Sequence, residues 1–183
     1  MTDTGITPSH TTRTGFRLPK PTANQIWVTV ALVIYTYFTY HILRENDWVP
    51  HFRIDLTPLL ETSLAIQIHV AAAVTTFSIG LVLMFAKKGF GFHRTLGWSW
   101  VAAMAVTAIS SFFISTISPV HFSPIHALSA WTLIALPMGI AAVRRGDVKK
   151  HRKEMTSMFV RGMLIAGLFT FLPGRLMFSL FFG

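Results

Sequence analysis

The feature that most limits this chain is a set of apolar runs close to the length of a membrane crossing. One covers residues 64–86, another 96–117 and a third 125–143. Crossing a ~30 Å hydrocarbon layer as helix takes roughly 20 mostly apolar residues. The runs show none of the two-residue alternation of barrel strands, and backbone in lipid must satisfy its own hydrogen bonds, so they read as helices. Charged residues make up 13% of the chain against 52% hydrophobic, about half the charged share of an ordinary soluble domain. The expectation is an all-α integral membrane five-helix bundle with spans at about 24–43, 59–86, 96–117, 125–143 and 148–182. Together they form a single transmembrane domain over 24–183. Pro137 is expected to kink the fourth span, and Pro173-Gly174 to interrupt the fifth. Residues 1–23, polar and rich in Thr, Gly and Pro, read as a disordered cytoplasmic tail. They lack the short apolar segment and small-residue cleavage site of a signal peptide.

Two hairpins organise the rest. KKGFGFHRTLGW at 87–98 joins the second and third spans, and RRGDVKKHRKEM at 144–155 joins the fourth and fifth. Each carries glycine and histidine among cations, and Asp147 is placed to cap the helix that follows. The net charge of +9 does not mark a nucleic-acid binder, because the cations stand in short loops beside apolar spans. The tail and the two hairpins hold nearly all the loop lysines and arginines; the opposite loops hold Arg44 and Arg53. The positive-inside rule therefore puts the N-terminus and both hairpins in the cytoplasm. There are no cysteines, which removes disulfides, thiolate metal sites and cysteine nucleophiles. Asp47, Asp55 and Glu61 lie in a mixed-charge loop and read as solvated, so no catalytic residue is nominated.

Eight histidines are many for so apolar a chain. His69 and His126 fall near the outer ends of the second and fourth spans, His93 and His151 near the inner ends of the third and fifth. Iron held by two neutral imidazoles needs one from each of two facing helices at matching depth. The four positions thus offer two bis-histidine sites stacked across the bilayer. The plainer reading is that histidines at helix ends sit half solvated in the interface. His69 is the deepest, and a polar group at that depth calls for a partner. Stripes Gly97, Trp100, Met104 and Met155, Met158, Gly162 suit close approach of a flat cofactor or of a neighbouring helix. Arg161 and Arg175, inside the last span, could each meet a haem propionate, a lipid phosphate or a carbonyl. From His69 to the end of its span is roughly 26 Å at 1.5 Å per residue. The inner pair is therefore expected at the membrane edge unless the third and fifth helices extend down to Gly91 and Val148. His10 belongs to the tail, and His41, His51 and His121 to the outer loops.

The segments HVAAAVTTFSIG at 69–80, FHRTLGW at 92–98, FSPIHALSAWTLIALPMGI at 122–140, RRGDVKKHRKEM and LPGR at 172–175 resemble the bacterial membrane-protein family known as domain of unknown function 2306. The resemblance covers about residues 60–180 and implies no activity. The histidine placement is also similar to that of transmembrane di-haem cytochromes b of the b-561 group. That similarity implies a four-helix core with haem b, one or two groups, held by His69 with His126 and by His93 with His151. On it rests the leading expectation: a multi-pass electron-transfer protein of the bacterial inner membrane, passing electrons from a quinol or cytoplasmic donor to an outer acceptor. The competing reading is a non-enzymatic accessory or assembly subunit of a larger membrane complex, or a homo-oligomer. A third places copper or zinc on His41, His51, His69, His121 and His126, since imidazole suits both metals.

Overall fold

The computed structural model describes residues 21–46, 49–89, 91–114 and 124–182. Of the tail expected over 1–23, residues 1–20 lie outside them, as does the outer loop around His121, while Thr22 and Ala23 belong to the start of the first helix. The first helix, α1 (Ala23–Glu45), starts on a reciprocal cap. Gln25 N–H donates to Thr22 Oγ1, and Thr22 N–H donates to Gln25 Oε1, satisfying two otherwise orphan donors. A single turn, α2 (Thr57–Leu60), precedes α3 (Leu64–Phe85). Then come α4 (Gly91–Ser111), α5 (Pro124–Arg144) and α6 (Val148–Ser157). The helix continues as a π-segment, π1 (Met158–Ile165), and as α7 (Ala166–Thr170). A turn holding Pro173 and Gly174 leads to α8 (Leu176–Phe181). Among the described residues α1, α3 and the stretch Ile125–Arg144 are long and apolar enough to cross a membrane.

Four of these elements close a ring. α3 packs along α4, α4 along α5, α5 along α6 and π1, and π1 returns to α3, while α1 leans on π1 from outside. α3 and α5 are thus diagonal, as are α4 and the α6–π1 helix. The burial pattern of α4 shows why it enters the ring. Trp100, Met104, Thr107, Ala108 and Ser111 are buried, a spacing of three and four that gathers them on one face. α1 and α3 are apolar all round, with Ala31 alone buried on α1 and Thr76 and Gly80 on α3.

The ends of the ring differ in kind. Both hairpins lie at one end, here the basic end. The turn from α5 to α6 is built by Gly146 and Asp147. Gly146, at φ 79°, lets its N–H reach the Val143 carbonyl at 3.0 Å and lets the Asp147 N–H reach the Ala142 carbonyl at 2.9 Å. This is the left-handed glycine stop of a helix. Asp147 Oδ1 then accepts from Lys150 N–H at 2.9 Å and starts α6.

At mid-height the interior is filled by Trp100, Met104, Ala135, Leu136, Met158, Phe159 and Met163. Gly80 makes room for this cluster, since a Cβ there would fall 2.5 Å from the Phe159 ring and 2.8 Å from Trp100 Nε1. Toward the opposite end the interior turns polar, with Thr76, Thr107, Ser110, Ser111, Ser129, Thr132 and His126 all buried.

Three elements depart from the sequence expectation. The second span does not begin at 59, because α2 is a separate turn and α3 starts at Leu64. The last helix does not run on to residue 182. Its continuous part ends at Thr170, and α8 instead packs on α2. There the Arg53 and Asp55 N–H groups donate to the Phe181 and Leu180 carbonyls at 2.8 and 2.9 Å. The third helix starts at Gly91 rather than 96 and ends its regular part at Ser111. Its first turn is hidden from an apolarity reading by His93 and Arg94.

Candidate functional site: two pairs of histidines

His69 and His126 approach the polar end of α4 from two sides. His69, half-buried on α3, has Nδ1 2.9 Å from the Thr107 carbonyl and 3.1 Å from Ser110 Oγ. A carbonyl can only accept, so Nδ1 carries the proton and the Nε2 lone pair is left over. His126, buried on α5, lies against Phe112, with ring centroids 5.7 Å apart. Beside it Ser111 Oγ and Ser129 Oγ stand 2.6 Å apart, tying α4 to α5. Thr76 and Thr107 add a hydroxyl contact at 3.4 Å between α3 and α4. The last two turns of α4 therefore present Thr107 and Ser110 to α3, and Ser111 and Phe112 to α5.

His93 and His151 occupy the basic end on the other diagonal. His151, in the first turns of α6, has Nδ1 3.0 Å from the Gly139 carbonyl of α5, so it too keeps Nε2 available. His93 lies in the first turn of α4. Its Nδ1 is sealed from solvent and has no hydrogen-bond partner.

Arg161 stands within π1, half-buried, with its Nε sealed and unpartnered. Arg175 is exposed in the turn before α8, where its carbonyl accepts from Ser179 N–H at 3.1 Å. His41 is exposed on α1 and pairs with Glu45 at 3.1 Å, and His51 is exposed in the segment before α2. Among the described residues no three His, Cys, Asp or Glu side chains gather into a metal-binding group. Asp55 Oδ1 accepts from Thr57 N–H at 2.9 Å at the start of α2.

The sequence reading did not single out the hydroxyls. Thr107, Ser110 and Ser111 on α4, with Ser129 and Thr132 on α5, recur at intervals of three and four. That spacing is the mark of one polar face within an apolar helix. The π-segment left no compositional sign.

The ring from α3 to α8 is also the part of the chain that a known family shares. The family described as predicted membrane protein (DUF2306) matches residues 66–181. The chain belongs to the DUF2306 family. Membership makes it a membrane protein and leaves α1 and α2 outside the matched region. No curated protein and no solved structure matches this DUF2306 chain.

The donor chemistry of the ring fits an iron porphyrin. Metal-bound histidines characteristically give their second nitrogen to a carbonyl or carboxylate, which fixes the tautomer and orients the ring. His69 and His151 meet that condition through carbonyls of neighbouring helices. Small hydroxyl side chains stand beside His69 and His126 and bring neutral dipoles without adding charge.

Proposed function

We propose that this DUF2306 chain is a membrane-embedded electron-transfer protein holding a b-type haem between His69 and His126. His93 and His151 are the ligands of a second. The observation that carries the reading is the anchoring of His69 and His151 by Nδ1, on opposite ends of the ring and on opposite diagonals. Five spans accompany it: α1, α3, α4, α5 and the α6–π1–α7 helix. The N-terminus and both basic hairpins face the cytoplasm under the positive-inside rule. α4, with 21 residues, is about 31 Å long at 1.5 Å per residue. Its basic first turn is what removes it from an apolarity criterion.

Haem, when bound, would supply one-electron chemistry between ferrous and ferric iron. The chain's residues bind and orient. The Thr107 and Gly139 carbonyls hold two imidazoles in one tautomer. Ser110, Ser111 and Ser129 line the outer site with neutral dipoles, and the Trp100–Met158–Phe159 layer keeps water out of the middle. A quinol in the bilayer or a cytoplasmic reductant is the donor class, and the acceptor lies on the outer side. The bacterial inner membrane is the location this reading requires.

One observation favours a second reading. The middle of the ring is already filled by its own side chains, as in a bundle that serves a larger complex without a cofactor. The optical spectrum of the purified protein, oxidised and reduced, separates the two. Bis-histidine haem gives a sharp band on reduction, whereas protein made with ample haem and isolated colourless would overturn the electron-transfer reading.

A further inference from the structure

Arg161 is a cation without a partner among the described residues. It makes no hydrogen bond to any described residue, and its Nε is sealed from solvent. The ion pairs among the described residues, His41–Glu45 and Arg53–Asp55, lie on α1 and in the segment before α2. Glu154, two turns back on the same helix, lies beside Gly139 of α5 instead. The neighbours of Arg161 in sequence are committed to protein. Val160 packs on the apolar core, and a Cβ on Gly162 would meet Met104 at 3.1 Å and Thr132 at 3.9 Å. Arg161 also belongs to an eight-residue π-segment, and widened turns are frequent at functional sites.

A guanidinium in an apolar span needs an anion or water at its planar face. Arg161 lies roughly 10 Å past Glu154 at about 1.5 Å per residue, which is within the reach of a long side chain from the headgroup layer. The α6 turns below it carry Lys149, Lys150, Arg152 and Lys153, a field that concentrates anionic lipid at the same surface.

We propose that Arg161 is the phosphate anchor of a bound anionic phospholipid, seated against π1 from the leaflet of the basic hairpins. The inference uses the span assignment above and is independent of haem, so a colourless protein that still retains lipid would sink only the electron-transfer reading.

The test is native mass spectrometry of the full chain in mild detergent after exchange into phosphatidylglycerol. Wild type is expected to keep one lipid per chain through washing, with Arg161→Gln keeping at least tenfold less. Arg161→Lys preserves the charge but not the fork, and is expected to fall between them while remaining folded. Arg145→Gln, in the exposed turn, controls for loss of surface charge and should change retention less than twofold. Equal retention by wild type, Arg161→Gln and Arg161→Lys would overturn the proposal. So would thermal stabilisation of wild type by inorganic phosphate equal to that by the lipid, since the anchor would then serve free phosphate. A shifted haem potential in Arg161→Gln with lipid retention unchanged would overturn it too, by assigning the guanidinium to a propionate.

Discussion

At the polar end of the ring, His69 donates to an α4 carbonyl among Thr107, Ser110 and the Ser111–Ser129 pair. At the basic end, His151 donates to an α5 carbonyl among the cations of α6. The anchoring is the same and the surroundings are not. Hydroxyls offer dipoles that turn to suit either charge state, whereas ammonium and guanidinium groups impose a positive field. Added positive charge at the basic end is opposed by the cations of α6, whereas the hydroxyls of the polar end carry no such field. Equally anchored imidazoles in unequal fields make the two ends unlike, and on the proposed reading the polar end is the better prepared of the two.

Breaking the polar end should have the largest effect. His69→Ala and His126→Ala are each expected to abolish one b-type haem per chain, read as haem stoichiometry and the reduced-minus-oxidised spectrum. His93→Ala and His151→Ala should spare that haem and remove only a second. Loss of all haem on changing His93 alone would erase the distinction between the ends.

The glycines sharpen the comparison at the level of packing. Gly80→Ala drives a methyl into the Phe159 ring and Trp100, and should cost about 1–3 kcal/mol in thermal unfolding. Gly139→Ala meets the flexible tip of Met155 and should cost less than about 1 kcal/mol. Next comes the start of α6. Asp147→Ala removes the acceptor of the Lys150 N–H and should cost about 1 kcal/mol, with Asp147→Asn retaining most of it. His151 stands one turn away, so hydrogen exchange should rise at the basic end alone.

The smallest effect is one of pH. Hydrogen bonds from the Thr57 side chain and backbone hold the Asp55 carboxyl below its ordinary value of 3.8, with Arg53 helping less. A carboxyl lowered by folding stabilises above that value and stops doing so as pH falls through the folded one. Exchange at Thr57 and at the 53–55 backbone should therefore increase only below about pH 4, and Asp55→Asn should abolish that step.

Much of this architecture is legible in the residues. The apolar runs announce the helices, and the Gly146-Asp147 step marks where one stops and the next begins, because each residue acts through its own backbone. The place of His69 within an apolar helix is legible too. Its partner is not, since the Thr107 carbonyl is a group every residue carries. The start of α4 was missed because cations in a first turn mask a helix that apolarity alone defines. The reach of α4 and α6 down to Gly91 and Val148 supplies the length that the inner pair requires.

The backbone pairing of 53–55 with 180–181, beside the Phe52–Phe182 bridge, has a consequence for synthesis. Its two strands are separated by nearly the whole ring, so the early one emerges from the ribosome long before its mate. Until the late strand arrives, the junction between α1 and α3 hangs unlatched, free to tilt or to meet other chains at the insertion site. The clasp can close only after all the intervening helices have been made.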